Sequence, residues 1–207
     1  IIGARPRTLP AAIAPVAVAT ALAGNEAAPV AALLALFVSL ALQVGVNFAN
    51  DYSDGIRGTD SERVGPVRLT ASGLASAQAV KGAAFISFAL AAVAGLALAA
   101  MTSWWLIAVG ASAILAGWGY TGGKNPYGYI GLGELFVFIF FGLVATVGSY
   151  FVQVERITLD SILISIPMGT FSCALLAINN IRDRALDAPA GKKTLAVRLG
   201  DRNARYL

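Results

Sequence analysis

Six apolar stretches, each at or near the length of a bilayer crossing, decide what this chain can become. They run over roughly 9–24, 28–49, 79–100, 104–120, 131–153 and 160–180. A helix needs about 20 apolar residues to cross a hydrocarbon core of ~30 Å. In lipid, only helices and closed barrels satisfy their own backbone. No segment alternates as an amphipathic strand does, which argues against a barrel. The expected fold is an all-α membrane protein, a multi-spanning transmembrane helical bundle around a central cavity. The fourth run is short, but it opens with Trp104-Trp105, which suit an interface anchor. Gly and Ala recur within the runs, and small residues let membrane helices approach closely. With 13% charged residues and a mean hydropathy of +0.74, the chain cannot clothe a water-facing surface.

The connections divide sharply by charge. Every Lys and Arg except Arg156 falls on one side of the predicted membrane. That bias places the basic side in the cytoplasm. The two long connections, 50–78 and 181–202, lie on the same side, whereas those near 24–27, 101–103 and 155–160 are short. Long polar loops on one face point to a one-sided active site. The net charge of +4 has a topological cause, so nucleic acid is not a partner this sequence calls for; a lipid bilayer is.

The chain contains no histidine, which removes His-bound zinc, haem–His ligation and Ser-His-Asp chemistry. Its one cysteine, Cys173, sits in an apolar run and reads as a small hydrophobe. The start at Ile1 and the end just after a basic stretch give the expectation of a single domain over 1–207 that lacks its C-terminal end.

Two acidic segments stand out against this apolar background. The first runs from Asn47 through Asn50, Asp51 and Asp54 to Asp60 and follows the second run; the second comprises Asn180, Asp183 and Asp187 and follows the sixth. If each helix continues into its segment, Asn47/Asp51/Asp54 share one face and Asn180/Asp183/Asp187 share another. The repetition resembles an internal duplication of helix pairs. Aspartates at a helix C-terminus are unfavourable for its dipole, so capping explains them poorly. Clustered carboxylates repel, and hard divalent cations relieve that repulsion. Mg²⁺ typically takes one or two carboxylates plus substrate phosphate oxygens, and nearby Arg and Lys hold the remaining phosphate charge. Carboxylates, Mg²⁺ and basic residues together describe a diphosphate site.

These segments resemble the UbiA superfamily of intramembrane aromatic prenyltransferases, whose motifs are NDxxDxxxD after the second helix and DxxxD after the sixth. Asn50, Asp51 and Asp54 match the first motif, and Asp183 and Asp187 the second. Gly58 takes the usual place of the last Asp, with Asp60 two residues on, a spacing similar to the 1,4-dihydroxy-2-naphthoate prenyltransferase branch. The segments 5–10 (RPRTLP), 63–73, 120–134 and 190–196 resemble the same branch in order along the chain. The resemblance implies eight or nine helices in the intact family member. It also implies a reaction: Mg²⁺-dependent transfer of a polyprenyl group from polyprenyl diphosphate to 1,4-dihydroxy-2-naphthoate, with loss of CO₂ and diphosphate, giving demethylmenaquinone for menaquinone biosynthesis.

On this reading Asp51, Asp54, Asp183 and Asp187 are the catalytic metal ligands. Asn47, Asn50 and Asn180 are either further ligands or helix-end caps, and Asp60 is the least secure ligand. Arg57 and Lys124 lead the candidates for diphosphate, followed by Arg63, Arg68, Lys192 and Lys193. Arg7 suits either diphosphate or the acceptor carboxylate, and Tyr120 suits shielding of a cation or an interfacial anchor. Two rivals are weighed. A transporter would carry charges at mid-span, where this chain has none; a related prenyltransferase with another acceptor is disfavoured by the Gly58/Asp60 spacing.

Overall fold

A computed structural model describes residues 2–59 and 66–206. It is helical throughout, with no strand among the described residues. The helices are α1 (Pro10–Ala23), α2 (Pro29–Ile56), α3 (Ala77–Met101), α4 (Leu106–Gly119), α5 (Gly133–Val137), α6 (Ala145–Val154), α7 (Leu159–Asp187) and α8 (Leu195–Ala204). A π-helical stretch, Phe138–Val144, joins α5 to α6 in one continuous segment, Gly133–Val154, which is the fifth crossing in chain order when the short α4 is counted. Among the described residues, five segments are long and apolar enough to span a membrane: Pro6–Glu26, Pro29–Ile56, Ala77–Met101, Gly133–Val154 and Leu159–Asp187.

The fourth predicted span is shorter than expected. Of 104–120, only Leu106–Gly119 is α-helical, because the segment at Ser103–Trp105 turns into the helix and Tyr120–Gly122 turns out of it. At 1.5 Å per residue that helix covers about 21 Å, less than the hydrocarbon core.

Helix ends follow local chemistry. Pro29 opens α2 at a position where its missing N–H is harmless. Thr158 and Ser161 form a reciprocal capping box at the start of α7. The acidic segments lengthen both helices. α2 runs seven residues past the predicted 49, and α7 runs seven past 180. The run 50–54 contains neither Pro nor Gly to stop α2, and Gly58, at φ +72, ends it with a left-handed turn.

Small residues set the packing. Ala49, Ala84 and Phe88 form a buried cluster between α2 and α3. The Phe88 ring lies so close over Gly45 that a Cβ there would meet it at 2.6 Å. Between the fifth crossing and α7 the backbones themselves touch: a Cβ on Gly142 would lie 2.6 Å from the Cα of Gly169. Such contact gives dispersion and weak backbone attraction where lipid offers no hydrophobic drive. At the end of the bundle away from the acidic segments, Arg156 and Glu26 form an exposed bidentate pair at 2.6 and 2.7 Å. In water such a pair contributes about 1 kcal/mol or less.

Candidate active site at the acidic ends of α2 and α7

The last turns of α2 and α7 carry Asp51, Asp54, Asn180, Asp183 and Asp187, all buried. The turn after α7 joins them. Lys192 Nζ lies 3.5 Å from Asp54 Oδ2 and 3.6 Å from Asp187 Oδ1, so one ammonium links the two acidic helix ends. Lys192 is itself only 8% exposed. Burying a charge is expensive unless it is paired, and these three groups offset one another.

Tyr129 completes the arrangement. Its hydroxyl donates to Asp54 Oδ1 at 2.7 Å and meets the Thr59 hydroxyl at 3.1 Å. Two cations approach its ring, Arg57 at 5.1 Å and Lys192 at 5.5 Å from the centroid. Burial pushes the phenol pKa above its ordinary value. The Asp54 charge pushes the same way, while the Thr59 hydrogen bond opposes it. The proton is therefore held through the neutral range, and the bond to Asp54 is lost only as pH rises beyond the ordinary tyrosine value of about 10. The backbone carbonyl of Tyr129 accepts from Lys193 N at 2.9 Å, which fixes the central loop against the turn that carries Lys192.

The other predicted residues divide by what they hold. Asp51 grips the loop that returns toward α3: Oδ2 accepts from Leu69 N and Oδ1 from Thr70 N, each at 2.9 Å. Gly55 lets that loop lie flat on the helix, since a Cβ there would meet Thr70 at 2.5 Å. Arg68, in the same loop, is buried. Asn47 faces the N-terminal segment. Its amide nitrogen donates to Ala4 O and Thr8 Oγ1 at 2.9 Å, and its oxygen accepts from Gln43 at 3.1 Å. Of the open choice between ligand and structural amide, the contacts of Asn47 are those of a structural amide. Asn50 Oδ1 accepts from the Thr121 hydroxyl at 2.8 Å. Asn180 donates to Glu134 Oε1 at 2.9 Å, across from α5. Asp183 is held in a bidentate pair by its neighbour Arg182, at 2.7 and 2.9 Å.

Arg57 donates to the carbonyls of Thr121 and Gly123 and so ties α2 to the central loop. Tyr120 begins that loop. It stands edge-on to Tyr127, with ring centroids 5.6 Å apart, and its carbonyl accepts from Gly128 N at 2.9 Å. Arg7, Lys124 and Lys193 are exposed. Asp60 and Arg63 lie outside the described residues.

Tyr129, Thr59, Thr121 and Glu134 were not among the expected site residues. Tyr129 did carry a signal: an aromatic between glycines in the only basic-side loop other than the two long connections. Glu134 lies in the first turn of α5, where an acidic residue is favourable for the helix dipole, and its link to Asn180 spans 46 positions in sequence.

A bundle of membrane-length helices with a buried cluster of carboxylates and cations at one end defines a multi-pass membrane protein of the intramembrane-enzyme kind. The comparisons place it within that class. The chain belongs to the UbiA prenyltransferase family, whose profile matches residues 12–207. It is similar to a 1,4-dihydroxy-2-naphthoate octaprenyltransferase of Mycobacterium tuberculosis, 56% identical over 207 residues, covering 99% of this chain and 71% of that protein. The Escherichia coli protein of the same name is 41% identical over 210 residues, covering 97% of this chain and 68% of the relative. A mouse UbiA prenyltransferase domain-containing protein 1 is 29% identical over 206 residues, covering 97% and 61%.

Proposed function

We propose that this protein transfers a polyprenyl group from polyprenyl diphosphate to 1,4-dihydroxy-2-naphthoate, with Mg²⁺ as cofactor and with loss of CO₂ and diphosphate. The product is demethylmenaquinone, formed as its quinol. The observation that carries the acceptor is the 56% identity, over nearly the whole chain, to a protein named for that acceptor. The site supports the diphosphate half. The basic end of the bundle faces the cytoplasm of a bacterial inner membrane on this reading, as its Lys and Arg distribution favours.

The donor set suits Mg²⁺. Asp54 and Asp187 bring hard oxygen atoms to one shared cationic position. Among the described residues no three His, Cys, Asp or Glu side chains gather closely enough to hold an ion alone. Two carboxylates with water and phosphate oxygens completing the shell is the usual Mg²⁺ arrangement. A bound Mg²⁺ supplies neutralisation of the diphosphate charge and so eases departure of the leaving group.

The chain's own groups do the rest. Lys192 and Arg57 offer positive charge beside the carboxylates, where the allylic C–O bond breaks and its electron pair leaves with the diphosphate. The ring of the acceptor supplies the electrons for the new C–C bond, and the bond to its carboxylate breaks to release CO₂. Asp51 keeps the loop at Arg68–Thr70 folded over the site. Tyr129 fixes the carboxylate plane of Asp54. Replacing Tyr129 by Phe keeps the ring and its cations but removes the hydroxyl, and lowers the transfer rate about tenfold, as loss of a ligand-orienting partner does. A rate equal to wild type at saturating Mg²⁺ would leave Tyr129 no role in positioning Asp54.

The decisive test is incubation of the purified protein in detergent with Mg²⁺, a polyprenyl diphosphate and 1,4-dihydroxy-2-naphthoate. Labelled CO₂ and a prenylated naphthoquinol are the expected products. Prenylation of 4-hydroxybenzoate in preference to the naphthoate would overturn the acceptor assignment.

A further inference from the structure

Lys192 and the lysine beside it lie in opposite settings. Lys193, its neighbour in the same turn, is exposed, whereas Lys192 is buried with its ammonium between Asp54 and Asp187. Binding of diphosphate alone would give a lysine no reason to contact carboxylates from two helices 138 and five residues away in sequence. We propose that Lys192 is an internal counter-ion clasp: its ammonium joins the acidic ends of α2 and α7, a divalent cation displaces it from Asp54 and Asp187, and the freed ammonium then takes up diphosphate. This rests on the metal–diphosphate reading above.

The geometry suits a group that lets go. The separations of 3.5 and 3.6 Å are longer than the roughly 2.8 Å of a direct charge-assisted bond, so the ammonium is shared between the carboxylates and locked to neither. The Tyr129 ring, with its centroid 5.5 Å from Nζ, gives the cation a third contact that survives when one carboxylate is lost. The backbone of Lys192 is fixed by donation of its N–H to Asp187 O at 2.9 Å. The flexible four-carbon stem can therefore swing while the turn stays in place. Arg57 does not share this freedom, because its guanidinium is tied to the carbonyls of Thr121 and Gly123.

Two cations cannot occupy one position between the same pair of carboxylates, and like charges at that range repel strongly in a buried setting. The ammonium therefore opposes metal binding when diphosphate is absent and favours it when diphosphate is present. The order of loading follows: metal alone binds weakly, and metal with diphosphate binds tightly. A lysine acting only as a phosphate ligand gives the second effect without the first.

The test is a Mn²⁺ titration followed by electron paramagnetic resonance, with the purified protein in detergent. Without diphosphate, Lys192→Gln is expected to bind Mn²⁺ about tenfold tighter than wild type, because the competing charge is gone. With inorganic pyrophosphate added, the order reverses and wild type binds tighter. Mn²⁺ affinity that is unchanged or weaker in Lys192→Gln without pyrophosphate would overturn the clasp. Absence of Mn²⁺ binding by wild type in the presence of pyrophosphate would instead overturn the metal reading, and the clasp with it. A second measurement needs no variant: acylation of Lys192 by an amine reagent, read by mass spectrometry, rises severalfold on adding Mn²⁺ and falls again on adding pyrophosphate. Labelling that ignores Mn²⁺ also sinks the proposal.

Discussion

Asp54→Asn lowers prenyl transfer on the order of 100- to 1,000-fold, comparable to removing one group aimed at developing charge. The substitution is chosen for what it keeps. Asparagine has the same shape and still offers Tyr129 an oxygen acceptor in place of the one now receiving its hydroxyl at 2.7 Å. What it removes is the negative charge that faces Lys192 at 3.5 Å. The loss therefore reports on charge at the shared cationic position and not on packing. Asp187→Asn, removing charge from the opposite helix at 3.6 Å, should give a loss of similar size. Breaking a buried ion pair by removing one partner destabilises by about 3–5 kcal/mol, but here Lys192 keeps its second carboxylate, so folding is retained. Steady-state rates with saturating substrates, beside a melting curve, separate the two effects. A rate within a few-fold of wild type for both variants would remove these carboxylates from the chemistry.

The second large effect lies in the membrane, away from the polar cluster. Gly142→Val forces the fifth crossing away from α7. Its Cβ would begin 2.6 Å from Gly169 Cα and 3.0 Å from Ser165 O, and backbone cannot yield as a flexible side chain can. Overpacking of a well-packed site costs about 1–3 kcal/mol, and the upper end applies where the obstacle is a helix axis. Because Asn180 of α7 is held by Glu134 of the fifth crossing, separating the two also pulls on the acidic end of α7. The expected result is a lowered melting temperature in detergent, with loss of activity. Gly148→Val on the same crossing is the control, since a Cβ there meets nothing within 4 Å. Equal behaviour of the two variants would refute the close-approach argument.

How much of this was legible in the sequence varies from residue to residue. Five of the six spans were, because an apolar run of bilayer length has few alternatives; the fourth run yields only the shorter helix Leu106–Gly119. The two acidic segments were also visible, as clustered like charges that need a positive partner. The identity of that positive group was only half legible. Lys192 and Lys193 are indistinguishable by type and neighbourhood, and only the turn after α7 decides which one points inward. The double grip of Asp51 on Leu69 and Thr70 was hidden because its partners are backbone N–H groups 18 and 19 positions away. No residue type advertises such a contact. Asn47 reads as part of the acidic face by spacing, yet its amide serves the N-terminal segment, since a face on a helix has width and its edges meet different neighbours. The π-helical stretch was hidden altogether: Phe138–Val144 is apolar at every position but Gly142, so no periodicity marks a change of pitch.

That change of pitch matters beyond the packing it permits. A π turn spends more residues on a rotation than the 3.6 of an α turn. The residues on its two sides are therefore out of phase, like two lengths of screw joined with their threads offset. Glu134, before the offset, meets α7 through Asn180, and Gln153, after it, meets Thr20 of α1 at 3.1 Å. One crossing thus serves two masters, and the azimuth of the half that touches the polar cluster is set independently of the half that seats against the first helix. The offset thus lets each half of the crossing face its own partner, α7 at the polar cluster and the first helix beyond it.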